Sequence, residues 1–244
     1  MPLHLLLRLE APLMSFGTVA VDHHRPVQPW PATSLLTGLL ANALGWRREH
    51  TEALDALQAR LRWAARLDRP GTPLEDFQTA QLGAADKAWT TRGVVEERAG
   101  GANTYNSPHI RHRHYRADAS VLVALRLDPA AAPPTVQDLA QGLTQPARPL
   151  FIGRKGCLPA TRLCLGLVDS EDALQALASQ PMSEGGVADG GAALYFNLGA
   201  APTPPEPLAS NGWRLHQASD ERRFALDMHA GRQPVYERVA KGRP

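Results

Sequence analysis

The chain has 244 residues and a mass of 26.4 kDa, enough to bury a sizeable core as one large or two small domains and too short for a solenoid array or a multidomain enzyme. Hydrophobic residues make up 43% and charged residues 20%, which excludes a disordered chain and a membrane-embedded one. The 26 basic residues exceed the 24 acidic ones by only two, so total charge supplies no bulk attraction for a nucleic acid.

In chain order, His4 to Leu9 is apolar nearly throughout and predicts a central strand. The stretch Leu3 to Leu7 is too short to span a bilayer and no small-residue cleavage site follows it, so the expected compartment is the cytoplasm, with no membrane contact. Residues 22–31 hold three prolines and exclude regular helix. Thr33 to Gly45 predicts a helix with Thr33 or Ser34 as its cap, an apolar face of Leu35, Leu36, Leu39, Leu40, Ala43 and Leu44, and Gly45 at its close. A second helix runs from about Thr51 to Leu57 or beyond, and Leu61 to Leu67 is strand-like. Residues 71–107 lose this regularity and predict a long excursion, a protruding hairpin or mobile loop.

Regularity returns with a strand over Ala119 to Leu127, a helix over Pro134 to Leu143, a glycine-flanked basic turn within Leu150 to Cys157, and a strand over Leu163 to Val168. The result is an α+β alternation of ferredoxin-like type, which is also the platform of RNA-recognition (RRM-like) domains. The expected organisation is a ferredoxin-like domain over 1–168 with the insertion at about 71–107, followed by a smaller C-terminal lobe over 169–244. That lobe carries a helix near Glu171 to Leu177 and short strands at Trp213 to His216 and Pro234 to Val239. Cys157 and Cys164 imply neither a disulfide framework nor, without CxxC pairs, a structural zinc.

The near-neutral total conceals segregation of charge. Tyr105 to Arg116 carries Arg111, Arg113, Arg116 and three histidines with no acid, and Pro146 to Cys164 carries Arg148, Arg154, Lys155 and Arg162 with no acid. From Asp169 to Glu206 the charges are all acidic. Arg outnumbers Lys by 23 to 3, which suits phosphate and base contacts and equally follows from a GC-rich genome.

Two segments carry candidate chemistry. Gly153-Arg154-Lys155-Gly156 brackets two cations with glycines, the composition of an anion-binding turn or of a plain solvated one, and it lacks the spacing of a nucleoside-triphosphate loop. His109 to Arg116 alternates as a strand, with Arg111, Arg113 and Tyr115 on one face and His112, His114 and Arg116 on the other. Either face suits RNA. His112 and His114 also offer two metal ligands, though no Cys or carboxylate adjoins them, and no metal or cofactor is expected. His and Tyr beside Arg also suit acid–base cleavage of RNA by its own 2′-hydroxyl. No GxSxG, HExxH or GxGxxG motif occurs.

Five blocks in order resemble one family. Leu5 to Gly17 is similar to the opening strand and turn of the CasD family of the type I-E CRISPR Cascade complex, within the RAMP superfamily. Arg25-Pro26 with Pro31, Ser34, Gly38-Leu39-Leu40 and Leu44-Gly45 resembles its next block. Asp76 to Thr79 resembles a third, with Gln78 where His is common; His114 to Ser120 resembles a fourth; Phe151 to Cys157 resembles a fifth, with Gly156 replacing Ser. The resemblance spans residues 3 to about 165.

The resemblance implies a non-catalytic subunit that binds the 5′ handle of the CRISPR RNA, contacts the backbone and large Cascade subunits, and meets target DNA through the complex. It implies that residues 71–107 form a β-hairpin thumb. Carried over residue by residue, it marks Met14, Ser15, Phe16, Arg25, Ser34, His114, Tyr115, Arg116, Arg154 and Lys155 as RNA contacts. The strand and turn patterns add Arg111, Arg113, Gly153 and Gly156, and the helix N-terminus at Thr33 and Ser34 adds N–H groups expected to meet a phosphate. The alternative is a metal-independent endoribonuclease of CRISPR precursor RNA. The related type I-C subunit cuts with a Tyr, Lys and His cluster, whereas the lysines here are Lys87, Lys155 and Lys241, with no adjacent Lys-His pair. A lone double-stranded DNA binder is a third reading.

Overall fold

The apolar run near the start forms strand β1 (Leu3–Glu10), which is buried on both faces: Leu5, Leu7 and Leu9 enter one core and Leu6 another. The computed structural model describes residues 1–19, 23–81, 87–89, 95–96, 108–187 and 191–238. After β1 come β2 (Leu13–Met14), β3 (His24–Arg25), helices α1 (Thr33–Ala43) and α2 (Thr51–Arg60), then β4 (Leu61–Arg69) and β5 (Thr72–Ala80). A two-residue pair, β6 (Ala88–Trp89) and β7 (Val95–Glu96), precedes β8 (His109–Ala117), β9 (Ser120–Leu127), α3 (Val136–Thr144) and β10 (Cys164–Asp169). The chain continues through α4 (Ala173–Ala178), β11 (Ala193–Asn197), β12 (Trp213–Ala218), β13 (Arg222–Arg223), β14 (Met228–His229) and β15 (Gln233–Arg238).

The fold is mixed α+β around a seven-stranded antiparallel sheet of order β10-β1-β9-β4-β11-β15-β12. Within the region expected as a smaller lobe, three strands extend this sheet edge to edge: β11 pairs with β4, Ala193 facing Leu67, and β15 and β12 follow. Helices α1 to α3 cover one face, packing Leu36, Leu40, Leu57 and Leu139 on Leu5, Leu7, Trp63, Val123 and Leu125. Helix α4 covers the other with Ala173, Ala176 and Leu177 on Leu6, Leu122 and Phe196. Each fully buried leucine contributes about 1.5–3 kcal/mol. Buried Asp68 joins the sheet to the segment after α4, accepting from Arg8 and Arg66, each at 2.6 Å, and from the Ser183 N–H at 3.0 Å.

A second, four-stranded sheet is built around β8. β5 and β8 form a nine-residue antiparallel ladder from Thr72↔Ala117 to Ala80↔His109. The other edge of β8 receives β2, with Met14 opposite Arg116, and then β3 in parallel, with His24 opposite His112. The turn into β5 requires glycine: Gly71 has φ +64°, and a Cβ there would lie 2.3 Å from the Ala117 carbonyl oxygen. Of the excursion expected over 71–107, residues 82–86, 90–94 and 97–107 lie outside the described residues.

Helix α1 starts as expected but not by the expected cap. Its N-cap is Ala32, and neither Thr33 nor Ser34 caps it with a side chain. Asp220, remote in sequence, takes that role: its Oδ2 accepts from the Thr33 N–H at 3.2 Å and the Thr33 hydroxyl at 3.1 Å, and its carbonyl from the Ser34 N–H at 2.8 Å. Burial pushes the Asp220 carboxyl above its ordinary range, against the opposing pull of the Thr33 bonds. Its folded pKa therefore exceeds its unfolded one, and the stability this proton contributes at low pH is lost as pH rises through the raised value. Asp220→Asn, which keeps an acceptor for Thr33, is expected to flatten that fall in unfolding free energy. Urea titrations across the acid to neutral range check this, and an unchanged difference between variant and parent contradicts it.

Candidate nucleic-acid interface

The turn after β1, the start of α1, the basic turn at residues 153–156 and the segment from 219 to 229 enclose one open cleft of about 1200 Å³. Ser15, Phe16, Arg25, Ser34, Gly153 and Arg154, drawn from four separate stretches of sequence, all line it. The cause of their convergence is a close backbone approach. Gly153 adopts φ +90°, and a Cβ there would meet the Ser15 carbonyl oxygen at 1.7 Å, so only glycine allows the contact. The Ser15 N–H reaches the Ile152 carbonyl at 3.3 Å, and the turn closes on itself through Ile152 N–H to Cys157 O and Cys157 N–H to Arg154 O, each at 2.8 Å.

Arg154 extends from that turn as a clamp. Its guanidinium donates to the carbonyls of His114 at 2.8 Å and Arg25 at 3.3 Å, and sits over the Tyr115 ring at 4.5 Å. It thereby joins β8 and β3 to the cleft wall, and these internal bonds occupy donors that the sequence reading assigned to RNA. Lys155 is exposed, and neither it nor Arg25 has a side-chain hydrogen bond or ion pair among the described residues.

The cleft is lined by Arg25, Arg47, Arg48, Arg148, Arg154 and Arg222 against Glu49, Asp220 and Asp227. Asp227 pairs with Arg48 at 3.1 Å and Arg222 at 2.6 Å, and Glu49 lies 3.6 Å from Arg47, so the acids hold cations in place without matching their number. Arg148 turns onto the Gly45 carbonyl. Trp46, Phe151 and Phe224 add flat apolar surface. Cations around aromatic faces in an open trough give a strand of nucleic acid both phosphate partners and stacking platforms.

The other expected site residues are placed elsewhere. Met14 and Phe16 are side chains of the main core, and of the two only Phe16 borders the cleft. Thr33 is buried and does not reach it, and the N–H groups of Thr33 and Ser34, expected to meet a phosphate, are both taken by Asp220. On β8 the expected alternation holds. Arg111, Arg113 and Tyr115 share a face with their partners Gln78, Asp76 and Leu74, while His112, His114 and Arg116 share the other with Phe77, Glu75 and Pro73. None of these β8 residues, nor Lys155 or Gly156, borders the cleft. Arg47, Arg48, Arg222 and Asp220 escaped the sequence reading. The doublets Arg47-Arg48 and Arg222-Arg223 were the available signal, but nothing in their spacing joins residue 222 to residue 48.

Residues 4–241 match the family model described as CRISPR-associated protein (Cas_Cas5). The chain is 31% identical over 218 residues to the CRISPR system Cascade subunit CasD of Escherichia coli (strain K12), covering 86% of this chain and 94% of that protein. Among solved structures it is similar to a chain of a CRISPR RNA-guided surveillance complex, with TM-score 0.66, 22% identity, and coverage of 95% of this chain and 88% of that one. A second, titled as the crystal structure of a Cas protein, matches with TM-score 0.62 and 26% identity over 99% of this chain and 100% of that one.

Because Arg154 holds the hairpin strand against the cleft wall, Arg154→Ala is expected to destabilise the protein by about 1–2 kcal/mol, the lower range for charge-assisted hydrogen bonds given a half-buried side chain. Thermal and denaturant unfolding check this. Wild-type stability in the variant removes the clamp.

Proposed function

The chain belongs to the CRISPR-associated protein (Cas_Cas5) family, and we propose that it is the non-catalytic subunit of a type I-E Cascade complex that binds and caps the 5′ handle of the CRISPR RNA. The observation that carries this reading is the convergence of Ser15, Arg25, Ser34 and Gly153 with five further arginines on one open cleft. Contacts from Arg25, and from the other arginines that outnumber the acids of the cleft, position the sugar–phosphate backbone, and Trp46, Phe151 and Phe224 supply faces for splayed bases.

The fold supports the same reading. Strands β1, β4, β9 and β10, joined through α1–α2 and α3, stand in the order β10-β1-β9-β4, which supports the reading of a ferredoxin-like (RAMP) domain. The β5–β8 ladder that leaves it is the stem of the proposed thumb. Residues 1–168 then supply the RNA-binding unit, while β11, β15 and β12 extend its sheet and Asp220 and Arg222 close the cleft. The acidic stretch from Asp169 to Glu206 and the edge strand β10, with exposed Leu165 and Leu167, are free to face the backbone and large subunits, through which target DNA is met. Among the described residues no helix is long and apolar enough to cross a membrane.

Binding of repeat-derived RNA tests the reading. Arg25→Gln, which spares the Arg154 side chain, is expected to weaken binding and lower the slope of log K against log salt by about 0.7, the value for one single-strand phosphate contact. An unchanged slope removes Arg25 from the RNA surface. The protein is expected to leave precursor RNA intact in metal-free buffer, and a discrete cut within the repeat overturns the non-catalytic assignment.

A further inference from the structure

Outside the cleft, the parallel pairing of β3 with β8 gathers imidazoles that lie far apart in sequence. His24 stands opposite His112 in the ladder, and the His112 N–H donates to the His23 carbonyl at 2.9 Å. The His24 and His112 rings stack at 4.6 Å, His23 and His24 lie 4.8 Å apart, and His23 and His112 lie 5.8 Å apart. One nitrogen from each of the three lies within 4.8 Å of the others. Glu75, placed on the same face by the β5–β8 register, accepts from His112 Nδ1, and this bond holds the Glu75 carboxyl below its usual range. Phe77 meets the His112 ring edge-on at 5.2 Å.

We infer that His23, His24 and His112 form a binding site for a late first-row divalent cation of the zinc class, with Glu75 as the carboxylate that orients His112. A carboxylate on Nδ1 fixes the tautomer in which Nε2 carries the lone pair, the arrangement that accompanies metal-bound histidines. Tetrahedral coordination at 2.0–2.1 Å places ligand nitrogens about 3.3 Å apart, so a closure of about 1.5 Å is required. His24 is exposed and His23 and His112 are half-buried, so side-chain rotation supplies it. An all-imidazole set favours zinc, nickel or copper over the oxygen-seeking magnesium and calcium. The carboxylate that His112 lacks in its own segment thus comes from β5, and the two further histidines from residues 23–24 at the start of β3. The bound ion would tie the segment leading into Arg25 to the hairpin stem, and this assignment stands whether or not the cleft holds RNA.

The test uses untagged full-length protein, stripped with chelator and titrated with zinc against a chromogenic competitor. One equivalent per chain is expected to bind. His24→Gln and His112→Ala should each lower affinity at least tenfold, and Glu75→Gln about tenfold or more. His216→Ala, on the far edge of the main sheet beside Glu237, should leave affinity unchanged. A melting scan in chelator confirms that each variant folds, and His24→Gln, at an exposed position, decides the matter if His112→Ala does not. Absence of stoichiometric zinc, or zinc binding indifferent to His24→Gln, overturns the assignment.

Discussion

The cleft depends on one close contact: Gly153 lies directly against the Ser15 carbonyl, nearer than any side chain permits. That contact brings the basic turn onto the end of β2 and sets the starting point from which Arg154 reaches the backbone of both β8 and β3. The β5–β8 ladder, the first turn and the main sheet are thereby held in one relation. A cation that looks from its sequence context like a ligand for phosphate acts as an internal strut, and its neighbours Arg25 and Lys155 remain available outside it.

Asp220 is the counterpart on the opposite wall. A carboxylate buried at a helix N-terminus meets orphan N–H groups and the positive end of the helix, which offsets part of the cost of removing it from water. Because Asp220 lies just beyond β12, the first turn of α1 is capped by the C-terminal region of the chain. The two ends of the chain are therefore coupled through the cleft, with Arg222 two residues beyond Asp220 on its wall. Near-neutral net charge fits this arrangement: Asp227 and Glu49 steady arginines that would otherwise repel one another.

Much of the main sheet is legible in the sequence because burial there follows local composition. β1, β9 and β10 are largely apolar runs, β4 shows a short alternating pattern interrupted by Arg62 and Arg66, and α1 and α3 carry their apolar faces openly. β5 was not legible: its Glu75, Asp76, Gln78 and Thr79 have no core to face, and Leu74 and Phe77 stay exposed, so pairing with β8 and not burial makes it a strand. β11 is only five residues long and follows a glycine pair, and it becomes a strand by pairing with β4 and β15. The basic turn was visible from its glycine-flanked cations as well as from the resemblance of ordered motifs, and Arg25 from the resemblance alone, while Asp220, Arg222 and the His23–His24–His112 cluster depend on contacts between remote segments that carry no linear signature.

The central claim is that the cleft between the basic turn and α1 receives the end of an RNA strand. Photocrosslinking of the assembled complex, with a reactive base at the 5′ end of the CRISPR RNA and mass-spectrometric mapping on this chain, measures it most directly. The account predicts crosslinks on the cleft wall, at Trp46, Phe151 or Phe224 and the segment around Arg25. Crosslinks confined to α4 or to the outer edge of β10 would contradict it.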